Sequence, residues 1–125
     1  MNDMLLLMPI LSEGENDEAF LEQALKGANN VILLIVVDAH TNEEFGFATS
    51  HIQKARTILE QVKANIGKKR KHSEDLLEWG DTQNKVLNVA LLRKVDKVVL
   101  RKQENHYFEE LVKKLRAENL EVEVI

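Results

Sequence analysis

The chain has 125 residues, 44% hydrophobic and 30% charged, with a net charge of −4. This composition predicts one ordinary globular domain with a substantial core, and the acidic balance argues against nucleic acid as a partner. There is no cysteine, which excludes disulfides, thiolate metal sites and a thiol nucleophile.

In chain order, Met4 to Ile10 is a continuous apolar run that ends in the polar loop Leu11-Ser12-Glu13-Gly14-Glu15. It has no basic region before it and no small-residue cleavage site, so it reads as a first strand rather than a signal peptide. Asp17 to Ala28 carries Phe20, Ala24, Leu25 and Ala28 at helical spacing. Ser12 or Asn16 is placed to cap that helix, and Ser12-Glu13-Gly14-Glu15 has the form of a capping box. Val31 to Val37 is a second, β-branched apolar run, too short to cross a bilayer.

Asn42 to Ile66 is the longest predicted helix, with Ile52, Ala55, Leu59, Val62 and Ile66 on one face and Gly67 placed to end it. A basic turn, Lys68 to His72, precedes a weaker edge strand over Glu74 to Trp79. Asn84 to Lys94 follows as a helix that buries Val86, Val89, Ala90 and Leu92. Val95 to Leu100 is a third apolar strand, Tyr107 to Glu118 a last helix with Phe108 in the core, and Leu120 to Ile125 an alternating edge strand. Strands apolar on both faces belong in parallel sheets covered by helices. The expected fold is therefore α/β, an open three-layer sheet of about five strands with right-handed crossovers.

Two stretches carry more than fold. Leu5-Leu6-Leu7-Met8-Pro9-Ile10 is followed by the polar Ser12 to Ala19. Trp79-Gly80-Asp81 leads to Val86-Leu87-Asn88-Val89-Ala90 and then Val95-Asp96-Lys97-Val98-Val99-Leu100. Together, and in this spacing over nearly the whole chain, they resemble the universal stress protein (UspA-like) family. The resemblance implies strand order 3-2-1-4-5, with a ligand crevice where the order reverses between strands 1 and 4. That crevice would be lined by Leu11, Ser12 and Gly14 from one side and Arg101, Lys102 and Asn105 from the other. The resemblance also implies a homodimer through the last strand, at Leu120, Val122, Val124 and Ile125.

Nucleotide-binding members of the family carry Gly-x2-Gly-x9-Gly-Ser/Thr after strand 4 and an Asp two residues after the strand-1 proline. Here Leu11 stands at the Asp position, and no glycine follows Gly80. The expectation is a non-enzymatic, cytoplasmic, dimeric stress-response or regulatory protein without tight ATP binding and without a cofactor, with an unidentified protein as a possible partner. The alternative is a sensor of a nucleotide or small anion, with Arg101 and Lys102 in place of the glycine loop.

Other chemistry is thinner. The four histidines lack metal-ligand spacing, and Asp38-Ala39-His40 reads as strand-end polarity. Ser12 and Ser50 have no nucleophile-elbow context, so no catalytic residue is assigned. The lone Trp79 is expected to pack against a helix. A receiver domain has a similar element count, but it needs an acidic pair after strand 1 and an Asp after strand 3 where Trp79-Gly80 stands.

Overall fold

The computed structural model describes residues 4–39 and 47–125. Its strands are β1 (Leu5–Pro9), β2 (Asn30–Val37), β3 (His72–Trp79), β4 (Lys97–Leu100) and β5 (Val122–Val124). Its helices are α1 (Glu18–Ala24), α2 (Ile52–Lys68), α3 (Thr82–Leu92) and α4 (His106–Ala117). Every strand pair is parallel, and the order is β3-β2-β1-β4-β5. A receiver-type sheet runs 2-1-3-4-5, so that reading falls.

The unbroken apolar run of β2 follows from its central position. Successive side chains point to opposite faces, and both faces are covered. Val31, Leu33, Ile35 and Val37 join one core with Phe20, Leu21, Leu59 and Ile66, under α1 and α2. Ile32, Leu34 and Val36 join the other with Val86, Ala90, Phe108 and Leu111, under α3 and α4. Each fully buried leucine contributes about 2 kcal/mol from apolar burial, and truncating one to alanine costs about 2–5 kcal/mol because the cavity refills only in part.

Several expected boundaries move. The first helix is α1 alone, preceded by a 3-10 turn over Glu13–Asn16 that Ser12 caps, while Asp17 caps α1 by accepting from Phe20 N at 3.2 Å. The second helix begins at Ile52 after a 3-10 turn over Thr49–His51, and the portion expected from Asn42 lies in part outside the described residues. Gly67 does not end α2. The left-handed residue there is Arg70, φ 59°, and Lys94 and Asn119 take the same conformation after α3 and α4. Arg70 N donates to Gly67 O and Lys71 N to Ile66 O, which satisfies the last carbonyls without a glycine.

Two burial expectations fail. Leu92 is 80% exposed, because α3 ends there and its inward stripe is carried by Val86, Val89 and Ala90. Trp79 is 55% exposed at the end of edge strand β3, where no second strand covers the outer side. The acids of β3 are tied to flanking helices instead: Glu74 to Arg93 by two bonds of 2.6 and 2.7 Å, Asp75 to Lys63 at 3.1 Å, and Glu78 to Lys85 at 3.7 Å. Charge of this kind protects an edge from pairing.

Candidate functional site

β1 has β2 on one side and β4 on the other, so the sheet order reverses at β1. The loops after β1 and β4 therefore flank one crevice at the carboxyl ends of the strands. The first loop is built around a buried carboxyl group. Glu15 is fully buried. Its Oε2 accepts from Leu11 N at 3.0 Å and Ser12 N at 2.7 Å, and the Ser12 hydroxyl donates to the same oxygen at 3.2 Å. Ser12 Oγ in turn accepts from Gly14 N at 3.2 Å. Burial pushes the Glu15 carboxyl up to about 7, against the opposing effect of the Ser12 and Leu11 donors and the Arg101 charge. The loop amides that would face a bound anion are thus occupied by a carboxylate of the chain itself.

Arg101 closes the loop from the β4 side. Its guanidinium lies against the backbone of Gly14, where a Cβ would stand 2.9 Å from Nε and nearer still to Cζ and Nη1. Gly14 is thus required for close approach rather than for an unusual backbone conformation. Arg101 shares a cavity of about 290 Å³ with Asp17, Phe20, Gln23, Lys102 and Ile125. Lys102 is largely exposed, with Nζ 3.6 Å from Glu104.

The link from β4 to α4 is five residues, 101–105, and contains no glycine. Asn105 caps α4, its Oδ1 accepting from Phe108 N at 2.8 Å, and its Nδ2 donates to Gln103 Oε1 at 3.1 Å. The Gln103 Nε2 is buried without a hydrogen-bond partner.

Of the residues expected at the site, Gly14 and Arg101 meet directly, and Lys102 lies beside Arg101 on the cavity wall. Ser12 serves the internal carboxylate. The Leu11 side chain is buried in the core under α3 and α4, leaving only its backbone in the loop. Asn105 is engaged as a helix cap. In the sequence Glu15 stands out as part of a capping box. Its role as the buried centre of the loop depends on the closing of α1, α2 and β4 around it.

Asp38 is likewise buried, and its Oδ2 accepts from Thr82 N at 3.0 Å and Thr82 Oγ1 at 3.1 Å, fastening the start of α3 to the end of β2. His40 lies outside the described residues. Among the described residues no group of three or more acids and histidines is placed to hold a metal, and no helix is long and apolar enough to cross a membrane.

No protein-family model matches the sequence. No curated protein matches it either. Solved structures do. A universal stress protein from Archaeoglobus fulgidus superposes with a TM-score of 0.75 at 15% identity, over 98% of this chain and 93% of that one. A universal stress protein from the same organism, in complex with dAMP, gives 0.67 at 16% identity over 100% and 99%. A universal stress family protein from Burkholderia pseudomallei gives 0.64 at 17% over 97% and 94%. At such identities the likeness is one of fold, spans the whole domain, and agrees with the strand order on both sides of the crevice: this chain has the universal stress protein fold.

Proposed function

We propose that this chain is a non-enzymatic regulatory module that works in the cytoplasm as a homodimer and does not bind ATP tightly. The observation that carries the reading is the link after β4. A triphosphate needs several backbone N–H donors that approach without an intervening Cβ. The five-residue link has no glycine, its last residue caps α4, and its first lies across Gly14. The amides of Leu11 and Ser12 are already taken by Glu15. Dimerisation is supported by β5, whose Val122 and Val124 are only half buried at a sheet edge. Isothermal titration with Mg-ATP tests the nucleotide part. The expected dissociation constant is weaker than roughly 1 mM. A micromolar constant, lost on replacing Arg101 and Lys102 by alanine, would overturn the reading.

That outcome would favour a second one, which a specific observation already supports. Arg101 makes no hydrogen bond or ion pair with the described residues, yet it lines a 290 Å³ cavity with Lys102. This pair suits a single phosphate, sulfate or carboxylate. One structure of the same fold was solved with the monophosphate dAMP.

A further inference from the structure

The buried carboxyl of Glu15 sits next to the Arg101 guanidinium that lies on Gly14. Arg101 approaches from the end of β4, and its charge favours the ionised form of Glu15. Among the described side chains, Lys102 lies beside Arg101 on the cavity wall. From α1, Asp17 is committed to the Phe20 amide and lines the same cavity as Arg101. On the α2 side, Asn16 exchanges hydrogen bonds with Gln61 and Asn65, and Lys54 shares a separate cavity with it. β1 is apolar throughout, and His106 at the start of α4 is paired with Glu110 at 2.6 Å. Arg101 is therefore the charge through which a ligand in the cavity would be felt by Glu15.

We propose that a small anion bound at Arg101 and Lys102 is taken up together with a proton from solvent, which goes to the carboxylate of Glu15; this rests on the small-anion reading of the cavity. The negative potential of the anion at Glu15 offsets the positive field of Arg101 that keeps the carboxyl ionised. This favours the protonated acid, whose carboxyl is already raised to about 7 by burial. The loop accommodates either state. One oxygen of the acid still accepts from Leu11 N and Ser12 N, while the Ser12 hydroxyl, which donates to the carboxylate, has lone pairs to accept from the acid. Because linkage is reciprocal, if the anion raises the affinity of Glu15 for a proton, the proton raises the affinity for the anion by the same factor.

Sulfate is the suitable probe, since it does not itself titrate near neutral pH. Its binding is followed by amide shifts of the full chain at about pH 6 and about pH 8, in the natural protein, in Glu15→Gln and in Arg101→Gln. If the anion raises Glu15 by one pH unit, binding is expected to be about fivefold weaker at the higher pH, and independent of pH in Glu15→Gln. The carboxyl carbon shift of Glu15, titrated with and without saturating sulfate in the natural protein, gives a second measurement that does not depend on the variant folding. It is expected to move to higher pH when sulfate is present. Equal sulfate affinity at both pH values, a pH dependence that survives in Glu15→Gln, or an unmoved Glu15 titration overturns the coupling and leaves the anion site standing. Absence of any Arg101-dependent sulfate binding at either pH overturns the site and the coupling together.

Discussion

The guanidinium of Arg101 rests on the backbone of Gly14, joining the end of β4 to the loop after β1 across the point where the sheet order reverses. Gly14→Ala should therefore act on Arg101 more than on stability. The backbone there needs no glycine conformation, and the atoms that must yield belong to the far end of a flexible side chain. Urea denaturation is expected to show a loss of about 1 kcal/mol or less. Displacing the guanidinium also removes part of the field that lowers the Glu15 carboxyl, so its titration should shift upward in a carboxyl carbon NMR titration. A large loss of stability with an unchanged Glu15 titration would contradict this account of the glycine.

Glu15 also predicts how stability depends on pH. Its carboxyl is raised from 4.5 to about 7 on folding. Between these values the native state holds more protons than the unfolded chain, so stability falls as pH rises through this window and levels off above it. The full effect is roughly 3 kcal/mol, from about 1.4 kcal/mol per unit. Glu74 acts in a different window and with the opposite sign. Arg93 holds its carboxyl below the usual range, and that contribution is lost only as pH falls below about 4.5. Denaturant midpoints measured between about pH 5 and about pH 8 should decline in the natural protein and stay nearly level in Glu15→Gln.

The dimer prediction can be tested without cutting the sheet. Glu121 O and Ile125 N bond to β4, and Ile125 O accepts from Lys102 N in the link that follows that strand. Backbone groups alternate along a strand, so Val122 and Val124 direct theirs to the free edge. Val124→Pro removes an outward N–H and leaves the β4 ladder in place. Light scattering at micromolar concentration is expected to give a dimer mass for the natural chain and a monomer mass for the variant. A monomer in both cases removes the edge-paired dimer, and so does a dimer in both.

How much could be read in advance differs between the fold and the crevice. The strands were legible because a parallel α/β chain writes each of them locally, whereas their order was implied only by the family resemblance. Leu5 to Pro9 and Val31 to Val37 are apolar at every position, as only strands covered on both faces are. Asp81 announces a helix start with a side chain that bonds three residues on, while Asn105, expected in the crevice, turned out to cap α4. Helix ends were less legible. Arg70, Lys94 and Asn119 take left-handed conformations that their side chains do not advertise, while Gly67 offered the signal one turn too early. Trp79 was expected on an edge strand but against a helix, and Leu92 inside α3; their exposure depended on how far α3 reaches and what covers the edge, both set by packing between distant segments.

The crevice itself divides in the same way. The sequence by itself determined that no glycine loop follows β4 and that Ser12 and Glu15 stand at capping-box spacing, because both are properties of neighbouring residues. Only the tertiary structure decided that Glu15 is buried and that Arg101, 86 positions further on, lies beside it on Gly14. The physical reason is that burial and electrostatic coupling belong to the space between elements. A carboxylate three residues after a serine is an ordinary surface cap until a sheet brings β4 alongside β1 and removes the water from around it.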